Sequence, residues 1–177
     1  MRLSHFQDGE LLLRPVEPSD ASLLQSWESD PAIATSNTLV EPMARYQAQQ
    51  WVDLGHSHLA SNGFVLFIAS VRRGDELVPI GYIELYNYDF YHRRVAVGVM
   101  LLPAYRGKGY ARRMLDLMVA HAKDLRLNIL YAEVVANNLL GKSFFDATPF
   151  IPVATLPHWY WDQGDYQDLI IYQLCLV

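Results

Sequence analysis

The sequence holds a single cysteine, Cys175, so no disulfide can form within the chain. Its place in the apolar run from Leu169 to Val177 predicts a small buried strand residue. No apolar run approaches the ~18 residues of a membrane span. The longest nearly unbroken one, Val95 to Tyr105, is interrupted by Gly98 and Pro103 and reads as a core strand. Residues 1–8 offer no long apolar segment ending in a small-residue cleavage site, so no secretory leader is expected and the cytoplasm is the expected location. Basic residues are in the minority, 14 against 19 acidic ones, for a formal charge of -5 at pH 7. That balance disfavours a nucleic-acid backbone and permits a cationic small molecule. Two nucleotide-binding patterns are also missing. There is no Gly-x-x-x-x-Gly-Lys-Ser/Thr, and a Gly-x-Gly-x-x-Gly reading of Gly107 and Gly109 fails because Arg112 stands where the third glycine belongs.

What is present suits one domain spanning residues 1–177, with no internal repeat and no low-complexity tract. With 51% hydrophobic residues, a chain of 177 can build a core without a staple. Leu11 to Val16 reads as a first strand, and Pro18-Ser19-Asp20 starts a helix reaching Asp30. A second helix is expected after Glu41-Pro42, running to about Leu54 and closed by Gly55. Phe64 to Val71, Val78 to Tyr88 and Arg93 to Leu102 are rich in strand formers and separated by short polar turns, which predicts an antiparallel meander. Ala111, Met114, Leu115, Met118, Ala122 and Leu125 then recur at helical spacing. A strand at Ile129–Val135, a helix near Asn138–Asp146, and strand-like segments near Ile151–Ala154 and Leu169–Leu176 complete the chain. The expected class is α/β, with a mixed, mostly antiparallel twisted sheet flanked by helices.

The informative junction is Met100-Leu101-Leu102-Pro103-Ala104-Tyr105-Arg106-Gly107-Lys108-Gly109-Tyr110-Ala111. A strand there passes through a glycine-bearing turn into an amphipathic helix. Gly107 and Gly109 let backbone N–H groups approach a ligand, and a helix N-terminus adds unpaired donors, an arrangement suited to a pyrophosphate. Arg106 and Lys108 add full charges. An ordinary turn with solvated basic residues reads equally from spacing alone.

Arg106, Gly109 and Ala111 match the Arg/Gln-x-x-Gly-x-Gly/Ala phosphate loop of the GNAT superfamily of acetyl-coenzyme A-dependent N-acetyltransferases, which the sequence resembles. Glu133 to Phe150 follows the register of a second family segment, with Asn138 and Phe150 in place. Arg14 to Asp20 and Gly81 to Leu85 extend the resemblance over nearly the whole chain. Trp27 to Pro31, Asp89 to Arg94 and Gly164 to Asp168 look most like the branch of diamine, spermidine and ribosomal-protein acetyltransferases. The resemblance implies a strand-loop-helix pyrophosphate site on the backbone of Arg106, Gly107, Lys108, Gly109, Tyr110 and Ala111. It lays the pantetheine arm beside Val99, Met100 and Leu101, and puts Asn138 near the thiol, where it also suits a helix cap. The family often has a tyrosine acid where Phe145 stands; Phe145 has no proton to give. Pro149 and Gly141 also depart from the pattern.

A primary amine with a pKa near 10.4 is mostly ammonium at pH 7, and forming its free base costs about 4.6 kcal/mol. Glu84 is the candidate base, acting directly or through water, provided its pKa is raised. A solvent-facing strand glutamate, or one that only attracts the ammonium, is the alternative reading of Glu84. A backbone N–H near Met100 or Leu101 could polarise the thioester carbonyl. For a cationic acceptor, Glu28 and Asp89, with Glu84, are the expected charge partners, and Trp27, Tyr82 or Tyr86 the aromatic ones. His56 and His58 lack a convincing third ligand, so no metal is expected. His158-Trp159-Tyr160-Trp161 reads as an acceptor wall, a homodimer contact or core. The expected function is acetyl transfer from acetyl-CoA to a small cationic amine or polyamine by direct attack. A ribosomal-protein-like N-terminal acetyltransferase, a non-catalytic acyl-CoA-binding module and an interaction protein reusing the fold are the alternatives.

Overall fold

The computed structural model describes residues 6–33, 42–162 and 164–176. Residues 1–5, within the segment read above for a leader, and Glu41, at the expected start of the second helix, lie outside them. In chain order the elements are β1 (Gln7–Asp8), β2 (Leu11–Pro15), α1 (Ala21–Glu28), α2 (Arg45–Gly55), α3 (Leu59–Asn62), β3 (Val65–Arg73), β4 (Glu76–Asp89), β5 (Arg94–Leu101), α4 (Tyr110–Asp124), β6 (Ile129–Val135), α5 (Leu139–Asp146), β7 (Ile151–Asp162) and β8 (Asp165–Cys175). The strands form a sheet ordered β1-β2-β3-β4-β5-β6-β8-β7. Its pairs are antiparallel except β5–β6, which are parallel and joined through α4.

Alternation along the strands sends side chains to two different cores. On one face Phe67, Ile83, Leu85, Val95, Val97, Leu130, Ala132 and Val134 pack with Met114, Leu115, Met118 and Ala122 of α4. His121 of α4 is buried there, its ring 4.9 Å from that of Phe6. On the other face Leu66, Ile68 and Tyr82 meet Leu24 and Trp27 of α1 and Ala48 and Val52 of α2. The two short helices thus cover the β3–β4 end of this second face.

The entry to α1 is fixed by charge. Arg14 holds Asp20 through two bonds of 2.7 Å, and Asp20 also accepts the Glu17 amide at 2.8 Å. Burial opposes the Asp20 charge, but the guanidinium and the amide outweigh it, keeping this carboxyl below its ordinary pKa. The bidentate clamp sets the direction of α1 and so places Glu28 at its far end.

Three expectations are corrected. Cys175 is exposed, because it ends β8 at the sheet margin and its apolar neighbours there are only partly buried. The first helix ends at Glu28, short of the expected Asp30, whereas the second follows Pro42 as expected, starting at Arg45 with the Ala44 amide donating to the Gln47 side chain at 2.7 Å. The terminal strands are longer than their apolar cores and form a hairpin, with an irregularity between Leu156 and Tyr160 that lies outside any alternating pattern. Among the described residues no helix is long and apolar enough to cross a membrane.

Gly55 ends α2 where the helix presses on β3. A β-carbon there would lie 2.6 Å from the Leu66 β-carbon and 3.2 Å from the Phe64 ring. Gly55→Ala is therefore expected to lower stability by about 1–3 kcal/mol in urea unfolding, despite the better helix propensity of alanine. Unchanged stability would contradict this packing.

Candidate functional site

The site begins where a pairing ends. β5 is bonded to β6 only through Arg94–Ile129, Val95–Leu130 and Ala96–Tyr131. Beyond Ala96, β5 follows β4 as far as Leu101, paired with Gly81, while β6 follows β8 to Val135, paired with Leu169. Each strand stays with its antiparallel neighbour, and the two part. Val97 to Leu101 consequently present a backbone edge without a strand partner on that side. Into the opening runs a cavity of about 660 Å³, walled by Val99, Met100 and Leu101 of β5 and Val134 and Val135 of β6, among others.

At one end of the cavity lies the loop into α4. Gly107 and Gly109 have φ of 72° and 80°, and Gly109 caps the helix. A β-carbon at either would meet no atom within 4 Å, so both glycines face open space in a backbone conformation that other residues resist. The first amides of α4 have no preceding helical carbonyl to bond. Arg106 is tied by its Nε to the Leu101 carbonyl at 2.9 Å, which holds the loop against the end of β5. Arg106, Gly107, Gly109, Tyr110 and Ala111 all line the cavity. The Lys108 side chain does not; its Nζ donates to the Ala104 carbonyl at 2.8 Å and sits over the Tyr105 ring. Lys108 therefore contributes its amide to the loop and spends its charge elsewhere. Arg112, outside the apolar positions of the helix, also lines the cavity and donates to the Ala147 carbonyl at 2.9 Å.

Glu28, Tyr82, Glu84, Tyr86 and Glu133 line the cavity too. Alternation puts Tyr82, Glu84 and Tyr86 on one face of β4, opposite Ile83 and Leu85 in the core. Glu84 is largely buried, and burial first, then the nearby Glu28 charge, raises its pKa from 4.5 to about 7. It is paired across β4–β5 with Gly98, and a β-carbon on Gly98 would stand 2.7 Å from Glu84 Oε1. The carboxylate thus lies over β5 only because residue 98 has no side chain. Glu28, buried at the end of α1, accepts the Tyr82 hydroxyl at 2.8 Å. Burial and the Glu133 and Glu84 charges raise the Tyr86 pKa, keeping that phenol protonated.

Asn138 lines the cavity and caps α5, accepting the Gly141 amide at 2.9 Å, so both readings of this residue meet at one position. Phe145 is in the wall, its ring stacked 5.5 Å from that of Tyr172. Asp89 is not brought to the cavity. It lies at the far end of β4, beyond a register break, accepting the His92 amide at 2.9 Å and pairing with Arg94 at 3.1 Å. Those groups hold its pKa below the ordinary value. Trp27 is likewise absent from the wall, being buried in the second core. Among the described residues, no three histidine, cysteine or acidic side chains gather as a metal would require.

Trp159 and Tyr160 also reach the cavity. His158, just before them, has φ of 52° and its amide bonded to Asp168 at 2.9 Å, at the β7 irregularity. That bulge re-aims the following side chains. It carries no glycine to announce it in the sequence.

The cradle of open-faced glycines beside a free strand edge fits a coenzyme A pyrophosphate and its amide-bearing arm. Gly98→Ala is expected to displace the Glu84 carboxylate and reduce turnover at least tenfold, with coenzyme A affinity kept within about threefold. Steady-state kinetics and calorimetry on the same variant check this; full turnover would contradict the placement of Glu84.

Three similarities bear on this geometry. The chain is 22% identical over 163 residues to a spermidine N(1)-acetyltransferase of Vibrio cholerae, covering 92% of this chain and 91% of that protein. A crystal structure of a Vibrio cholerae spermidine N-acetyltransferase in complex with CoA and spermine superposes with a TM-score of 0.80 at 19% identity, covering 96% of this chain and 97% of the other. A dodecameric structure of the Vibrio cholerae enzyme in an intermediate state gives 0.75 at 21%, covering 96% and 95%. The family described as the acetyltransferase (GNAT) domain matches residues 10–141. With the phosphate-loop residues, the parted strands and that match in agreement, the chain belongs to the GNAT acetyltransferases, which take their acetyl group from acetyl-CoA.

Proposed function

We propose that the chain acetylates a primary amine of a small polycation, a polyamine or diamine, with Glu84 as the base. The observation that carries this reading is a deeply set carboxylate, Glu84, beside the free edge of β5 in a cavity that also holds Glu28 and Glu133. Acidic walls attract an ammonium ion, and the Tyr86 ring adds an apolar and cation-binding surface. The relatives named for spermidine are consistent with that class of acceptor.

In this reading the amides around Gly107 and Gly109 bind the pyrophosphate, and the Val99–Leu101 edge orients the arm. Bound acetyl-CoA supplies an activated acetyl thioester. Glu84, poised near neutrality, removes a proton from the ammonium directly or through water, so that the amine nitrogen can attack. A backbone N–H of Met100 or Leu101 steadies the carbonyl oxygen. Phe145 excludes solvent but donates nothing. A thiol with a reference pKa of about 8.5 leaves readily enough that water can protonate it.

The chain is further proposed to self-associate along β7, as the dodecameric relative does by some surface of its own. Ile151, Val153, Trp159 and Trp161 are exposed on this edge strand, and such an edge pairs readily with another. Light scattering should give the mass of at least two chains; a monomer at micromolar concentration contradicts it.

The acid-base assignment predicts a pH profile. With polyamine acceptors, kcat/KM should rise with pH through a midpoint of about 7, as Glu84 ionises. Glu84→Gln should lower it about a hundredfold or more and remove that inflection. Stability supplies an independent sign. Between 4.5 and about 7 the folded protein keeps a proton that the unfolded chain has released, so wild-type stability falls relative to Glu84→Gln as pH rises, then levels off. The difference is at most about 3 kcal/mol, reduced by whatever part of the carboxylate the cavity opens to water. A profile unchanged by the substitution would remove Glu84 from the reaction.

A further inference from the structure

We infer that Glu133 holds the second ammonium group of a two-headed acceptor, and so sets the preference for diamines over monoamines; this rests on the amine reading above. The strand register places it there. Tyr86 is level with Ala96, and Ala96 with Tyr131, forming a row across β4, β5 and β6. One side-chain step further, Glu84 is level with Gly98, and the same step along β6 arrives at Glu133. Leu130, Ala132 and Val134 all join the core on the opposite face, so Tyr131 and Glu133 share the face of Tyr86 and Glu84.

The result is a trough. Its floor is Gly98, which has no side chain, with the buried Ala96 next to it on the same face. One wall is Tyr86 and Glu84, the other Glu133, with Tyr131 on the same face of β6. Burial, then the Glu133 charge, raises the Tyr131 pKa, and Glu133 is also the foremost charge acting on Tyr86 across the floor. The two walls are therefore within electrostatic reach of each other.

Neither Glu84 nor Glu133 has a hydrogen-bond or ion-pair partner among the described residues. Glu28, by contrast, is engaged by the Tyr82 hydroxyl. The cavity's own cations are Arg106 and Arg112, both at the phosphate end and both bonded to backbone carbonyls. A deeply set carboxylate and a second, open one thus face a common trough, with no cation from the described residues between them. Glu84 Oε1 already reaches over Gly98, and β6, which has parted from β5 at this level, stands more than one paired-strand spacing, ~5 Å, beyond it. A flexible alkane diamine can then place one nitrogen at Glu84 and the other at Glu133.

The test compares a short alkane diamine with the monoamine of equal chain length, using the full chain and acetyl-CoA. Wild type should prefer the diamine. In Glu133→Gln that preference in kcat/KM should fall about tenfold, carried by KM of the diamine, and Glu133→Asp should recover part of it. An unchanged ratio, or an equal loss for both amines, overturns the inference. Should wild type acetylate no amine, the acceptor reading itself fails. Calorimetry of the diamine against wild type and Glu133→Gln, each with coenzyme A, then decides this proposal separately. A roughly tenfold weaker Kd supports it, and equal affinity overturns it.

Discussion

The absence of hydrogen bonds between β5 and β6 beyond Ala96 is the constraint on which the site depends. Backbone donors and acceptors inside a sheet are normally paired, and leaving a run of them open carries a cost. Here the cost is accepted because two antiparallel ladders, β4–β5 and β6–β8, hold their strands on diverging courses. Everything else follows the gap. The α4 loop stands at its mouth, Asn138 at its other lip, and Glu84 behind its edge.

The cavity is polarised along its length. Arg106, Arg112 and the amides of a helix N-terminus occupy one end, while Glu28, Glu84 and Glu133 occupy the other. An anionic donor and a cationic acceptor are thereby sorted to opposite ends before any chemistry is required. At the acidic end burial first, and then the Glu28 charge, raise the pKa of Glu84. Burial, helped by one of the same acids that would gather an ammonium ion, brings the Glu84 pKa to about 7, where a base is useful.

Much of this was legible in the chain because local chemistry and fold agree. The α4 periodicity, the Arg106-to-Ala111 loop and the β6 boundaries are short-range signals, and they stand where the spacing puts them. Glu84 was identifiable as a candidate from its strand, and Asn138 as a cap. What escaped depends on register between distant strands. Asp89 and Glu84 are both acids of β4, yet a break after Tyr86 separates their surroundings. Glu133 acquires its meaning from Gly98, a partner across a pairing that has already ended. Arg112 is outside the apolar positions of α4, and helical spacing alone gave no sign that the cavity meets it. Trp159 and Tyr160 line the cavity, one of the readings the aromatic tail allowed, but the bulge at His158 that precedes them has its left-handed backbone held by Asp168 rather than marked by glycine. Cys175 shows the reverse error, since an apolar stretch at a sheet margin need not be buried.

The most direct measurement is a backbone amide NMR titration of the full chain with coenzyme A. The account predicts that the largest shifts, and new protection from hydrogen exchange, fall on Gly107, Gly109, Tyr110 and Ala111 and along Val99 to Leu101, with the Arg94–Ala96 pairing undisturbed. Shifts centred on another surface, or an unaffected edge of β5, would contradict it.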